Sequence, residues 1–166
     1  SPPTDDAGGP VGPFMKQLPL QRESIEPRLD GIQKELTLLR RFAGLKFEEF
    51  SRDEIFDRVQ LHLRFALEGM FHIGSHILAR IPGGRFTEYK EVARKLGECG
   101  IVPKNFAEEK LVPIAGYRNR LTHLYHEVTP EELYKIVNNH LGDIETFLAS
   151  IKNVLKSPGN YGLTLE

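Results

Sequence analysis

Between Gly116 and Val128 the chain reads GYRNRLTHLYHEV, and the ten residues Tyr117 to His126 hold two guanidiniums, two imidazoles and two phenols. Arg118, His123 and Tyr125 form an Arg-x4-His-x-Tyr pattern, flanked by a second arginine, Arg120, and a second histidine, His126. Arginine offers a permanently charged planar fork suited to a phosphate, histidine exchanges protons near neutral pH, and a phenol donates, accepts or is modified. Together these groups describe a phosphodiester site that needs no metal. On RNA the ribose 2'-hydroxyl can itself be the nucleophile, so the protein supplies only proton transfer and anion stabilisation.

Spacing constrains the geometry. Arg118 and His123 are five residues apart, about 140° on an ideal helix, so an unbroken helix does not hold them face to face. Either the chain bends between them or a second subunit supplies the complementary group. A plainer alternative is that Arg118 and Arg120 pair with carboxylates at a helix end while His123 and Tyr125 form an amphipathic rim.

The elements that must position this stretch read as helices. Ile25, Leu29, Ile32, Leu36, Leu39 and Phe42 recur at three and four, predicting a first helix with Ser24 as its N-cap and an end near Ala43-Gly44. Ser51 with Glu54 reads as a capping box opening a second helix, the longest, which runs to Ile81 and is stopped by Pro82-Gly83-Gly84. A short third helix spans Tyr89 to about Cys99, and a fourth follows Pro103, with a kink or break expected at Pro113. The last helix is predicted from Thr129-Pro130 to Pro158-Gly159 as one amphipathic unit. No strand alternation stands out, so the expected fold is an all-α antiparallel bundle of about five helices.

His62, His72 and His76 lie on the second helix, and the four-residue step from His72 to His76 is a metal-ligand spacing. No cysteine or adjacent carboxylate completes such a site, Glu68 being the near acid on that helix, and neither a metal nor a cofactor is expected. Cys99, the single cysteine, reads as a small core or boundary residue and excludes an internal disulfide. A reducing cytoplasm and no membrane span are expected. With 22 basic against 23 acidic residues, net charge -1, a broad nucleic-acid-binding face is excluded, so any such contact is local. Residues 1–14, rich in proline, glycine and aspartate, read as a disordered tail or remnant, with Met15 as a candidate start; 15–156 read as one helical domain and 157–166 as a loose C-terminal tail.

The stretch RNRLTHLY, preceded by RFALEGMFHIGSHIL and by YKEVARKLGECGIVPKNFAEEKLVPIAGY, resembles the HEPN superfamily and, more closely, the HepT toxins of HepT/MntA (type VII) toxin-antitoxin pairs, over about Ile25 to Leu155. The resemblance implies a HEPN fold, a homodimer with two motif copies near its interface, and a metal-independent endoribonuclease. It also implies a partner, an MntA-like minimal nucleotidyltransferase antitoxin that transfers AMP from ATP to Tyr125. By position, Arg118 would stabilise the phosphate and transition state, Asn119 would orient the site, His123 would move protons, and Tyr125 would be the modification point and a substrate contact. Arg120 and His126 lie outside the motif as candidate auxiliary RNA contacts. The alternative is a non-catalytic HEPN module that binds a nucleotide or docks the nucleotidyltransferase.

Overall fold

The computed structural model describes residues 17–166, so the expectations for residues 1–14 and for Met15 fall outside it. Helix α1 (Arg22–Ala43) and the single-turn α2 (Phe47–Phe50) lead into the 26-residue α3 (Asp53–Leu78). Helix α4 (Tyr89–Glu98) and the short α5 (Lys104–Phe106) follow, and a wide π-turn over Ala107–Leu111 feeds α6 (Val112–His123). A 3-10 turn (Tyr125–Glu127), α7 (Pro130–Asn139), α8 (Leu141–Lys156) and a second 3-10 turn (Pro158–Tyr161) complete the chain. The described residues are all-α, the only β feature among them being one isolated bridge between Leu20 and Leu165. No helix among them is long and apolar enough to cross a membrane.

Helix α3 is the spine. Its Val59, Leu63, Ala66, Met70, Ile73 and Ile77 are all buried and recur at three and four, so one apolar stripe faces inward along the whole helix. Helices α1, α4, α6 and α7 all pack on it. Full burial of each of these side chains other than Ala66 contributes about 1.5–3 kcal/mol, and the stripe therefore fixes where α4 and α6, the two sides of the site, come to rest.

Six features differ from the sequence reading, each for a local reason. Helix α1 starts at Arg22 with Gln21 as its N-cap, not at Ser24: the Gln21 N–H donates to His76 Nε2 at 3.1 Å and the Arg22 N–H to Glu166 O at 2.9 Å, which extends the helix forward. Ser51 does not cap α3. Its hydroxyl donates to Phe47 O and closes α2, because Phe47 and Phe50 turn inward to meet the Tyr134 ring edge-on at 5.3 and 4.9 Å. Helix α3 stops at Leu78, where the chain turns so tightly that a Cβ on Gly84 would lie 2.0 Å from Leu78 O.

The predicted last helix is two helices, interrupted at His140 (φ -125, ψ 5), whose N–H still bonds Ile136 O at 2.8 Å. The three-and-four spacing runs straight through from Leu133 and Val137 to Leu141 and Ile144, which is why the sequence gives no sign of the break. The tail is not loose: Leu163 is buried, Leu20 N–H donates to Thr164 O at 2.7 Å and Glu166 N–H to Leu20 O at 2.8 Å.

At Pro113 the helical path widens instead of ending. Proline has no N–H to give to Glu109, and the preceding Val112 N–H reaches five residues back to Ala107 O, so the π-turn absorbs the mismatch and Pro113 falls in the first turn of α6.

His76 gives this fold a pH dependence. Burial, then the nearby Arg80 and Arg28, push its imidazole down from 6.5 to about 4. Its ring nitrogen must stay unprotonated to accept from Gln21. The unfolded chain therefore binds this proton first, and stability present above pH 6.5 is lost as pH falls toward 4. Thermal unfolding followed between pH 7 and 4 should show a smaller drop in Tm for His76→Gln than for the parent; parallel profiles would refute the linkage.

Candidate functional site

The motif lies at the junction of α6 with α7. Helix α6 runs unbroken from Val112 to His123, so the chain does not bend between Arg118 and His123. The turn comes one residue later, at Leu124 (φ -132, ψ 36), whose N–H still bonds Arg120 O at 2.9 Å. Gly116, Asn119, Arg120 and His123 fall at i, i+3, i+4 and i+7 and share one helical face. That face floors a groove of about 720 Å³, and the opposite wall is Thr87 to Lys90 at the start of α4. Arg118, off the floor, reaches the same groove from the side.

The two arginines are held differently. Arg118 lies with its guanidinium 4.5 Å from the centre of the Tyr89 ring, and Tyr89 in turn stacks on Phe71 at 4.9 Å. Its Nη2 donates to Glu68 Oε2 at 3.3 Å and its Nη1 to Asn119 Oδ1 at 3.2 Å, while its buried Nε has no partner among the described residues. Glu68, Tyr89 and Asn119 thus fix the plane of the fork.

Arg120 is tied down more firmly. Its Nη1 and Nη2 donate to the two oxygens of Glu132 at 2.6 and 3.1 Å, and Nη2 also donates to Glu127 O at 3.1 Å. Glu132 simultaneously accepts from the Thr129 N–H at 2.8 Å, completing a capping box on α7. Burial alone would raise the Glu132 carboxyl, but the hydrogen bonds from Arg120 and Thr129 outweigh it and hold it low, while the same carboxylate raises Arg120 further. Beneath the pair, Tyr117 Oη is buried without a partner among the described residues, and desolvation followed by the Glu132 charge pushes this phenol well above its ordinary value.

Arg118, Asn119, Arg120 and His123 are therefore gathered into one groove, whereas Tyr125 and His126 stand outside its wall on the exposed 3-10 turn. Tyr125 is 60% exposed, its ring edge-on to His126 at 5.7 Å, and its carbonyl accepts from Gln60 at 3.4 Å. Glu68, Tyr89 and Lys90 are site residues that the motif did not reveal. Glu68 is fifty positions from Arg118, and only the packing of α3 on α6 joins them.

Residues 32–151 match the family model described as Ribonuclease HepT-like. The chain belongs to this family. A tRNA nuclease HepT from Aphanizomenon flos-aquae is 25% identical over 135 residues, covering 79% of this chain and 89% of that protein. Two solved structures share the HepT-like fold. One is the cytosolic protein of unknown function YutE from Bacillus subtilis, with TM-score 0.71, 19% identity, and coverage of 82% of this chain and 92% of that one. The other is a chain of a toxin-antitoxin structure with AMP-PNP, with TM-score 0.72, 20% identity, and coverage of 80% and 99%.

In this HepT-like chain the Glu132 contacts make a stability test. Glu132→Ala removes the capping box and the Arg120 fork together and should cost about 1–2 kcal/mol in denaturant unfolding, since both groups are partly solvent-screened; an unchanged midpoint would count against the clamp. Tyr117→Phe, by removing an unpartnered buried hydroxyl, should stabilise the fold by about 1 kcal/mol in the same measurement.

Proposed function

We propose that this chain is the toxin of a toxin-antitoxin pair, an RNA endonuclease that works without a metal as a homodimer and is silenced by AMP transfer onto Tyr125. The observation that carries the reading is the shared groove of Arg118, Asn119, Arg120 and His123. The chemistry follows from those groups. His123 takes the proton of a ribose 2'-hydroxyl as its oxygen attacks the adjacent phosphorus, Arg118 steadies the added negative charge, and the bond to the 5'-oxygen breaks as that oxygen gains a proton. The products are a 2',3'-cyclic phosphate and a free 5'-hydroxyl.

Two proton transfers are needed on opposite sides of the phosphorus, and a second copy of the chain supplies the second imidazole. Support for a homodimer comes from Leu61, Phe65 and Leu124, large apolar side chains left exposed near the motif, where Gln60 links α3 to the 3-10 turn. Arg120, committed to Glu132, acts chiefly by positioning, and His126 remains an auxiliary contact. The name of the cyanobacterial relative makes tRNA the first substrate to try. The exposure of Tyr125 suits a residue that a partner enzyme must reach, and the neighbour with AMP-PNP is a toxin-antitoxin structure, which supports a nucleotidyltransferase antitoxin as that partner.

A non-catalytic module is the second reading. Both arginines are paired with carboxylates, Arg118 with Glu68 and Arg120 with Glu132, as a structural rim would have them. Incubation with tRNA separates the two. His123→Ala should lower cleavage at least about 100-fold with the melting curve unchanged. Tyr125→Phe should stay active and acquire no AMP adduct by intact mass when mixed with ATP, magnesium and an MntA-type enzyme. Intact tRNA after incubation with the unmodified parent would hand the site to the binding-module reading.

A further inference from the structure

Among the described residues, the groove contains one cation that no carboxylate claims. Arg118 and Arg120 are ion-paired, but Lys90, which is exposed on the opposite wall, has no acidic side chain within ion-pair distance among the described residues. Its position is set by α6. A Cβ built on Gly116 would meet Lys90 Cε at 3.3 Å and Nζ at 3.7 Å, so the lysine stem lies across the helix where a side chain is missing. Gly116 begins the floor of the groove and His123 ends it, seven residues later. At about 1.5 Å per residue the two are roughly 10 Å apart along the axis, too far for one phosphate to touch both ends.

We propose that Lys90 holds a backbone phosphate of the RNA strand adjacent to the one being cleaved, setting the strand along α6 from Gly116 to His123. This rests on the ribonuclease reading above and extends it with a second anion subsite. An ammonium on a flexible stem binds as a point charge, without the fixed fork of an arginine, which suits a contact that aligns the strand and leaves sequence unread. Among the described residues the one acid lining the groove is Glu88, which precedes Tyr89 and has no ion-pair partner there; it limits the net charge of this end.

Binding of a short single-stranded oligoribonucleotide to the His123→Ala protein, which leaves it whole, provides the test. Adding Lys90→Gln should weaken binding about three- to tenfold and reduce the slope of log K against log salt by about 0.7, the value for one phosphate on a single strand. Lys90→Arg should keep the parent slope. In the otherwise unaltered protein, Lys90→Gln should raise KM for tRNA by a similar factor with kcat within twofold. A salt slope identical to the parent in Lys90→Gln, with the parent binding and cutting RNA, overturns the inference and leaves the ribonuclease reading standing. A parent that neither binds nor cuts RNA overturns both, and a collapse of kcat at constant KM would move Lys90 into the chemistry and overturn its role as a distant phosphate contact.

Discussion

The carboxylate of Glu132 is the point on which the site turns. It accepts from both ends of the Arg120 fork and from the Thr129 backbone, so the last turn of α6 and the first turn of α7 are closed by one group. Neither helix end is stable in isolation: the C-terminal carbonyls of α6 and the N-terminal amides of α7 lack intrahelical partners. The capping box of Thr129 and Glu132 answers the second deficit, and the charge-assisted bidentate contact from Arg120 ties that cap to the last turn of α6, which leaves little freedom to the three-residue turn between them. The exposed Tyr125 and His126 can stand out from the body because the chain on either side of them is fastened.

This explains why one stretch carries two arginines with unequal duties. Arg120 is spent on architecture, while Arg118 keeps part of its donor capacity. The face of Tyr89 and the Glu68 carboxylate hold Arg118 from two directions, yet Nε is unpartnered among the described residues and the two hydrogen bonds from its terminal nitrogens, at 3.3 and 3.2 Å, are longer than those of Arg120 to Glu132 at 2.6 and 3.1 Å. Under the proposed reading, a guanidinium held in plane by these longer contacts would exchange a carboxylate for a phosphate at small reorganisation cost.

Much of this was legible from residue order. The helical stripes of α1, α3 and α4 emerged from spacing because each buries one face against a common core, and the motif drew attention through its density of titratable groups. What the sequence concealed is long-range. Glu68 stood out only as the acid near the histidines of α3, and nothing marked Lys90, until packing set one behind Arg118 and the other across Gly116. Ser51 satisfied the rule for an N-cap, but the burial of Phe50 outweighed it. The break at His140 left no trace, since apolar spacing reports which side of a chain is inside and not whether its hydrogen bonds continue. Resemblance supplied the family, which the match over residues 32–151 establishes.

The π-turn before α6 sets the phase of everything after it. A turn closed by a five-residue bond holds one residue more than an α-turn, and each residue rotates a helix by about 100°. The widening over Ala107–Leu111 therefore works as a single-residue insertion that swings the whole of Val112–His123 about its own axis. Gly116, Asn119, Arg120 and His123 face α4 because of that offset. Removing the widening, which would take both a one-residue deletion and the replacement of Pro113, would keep Arg118, His123 and Tyr125 in the chain and aim the motif away from the groove.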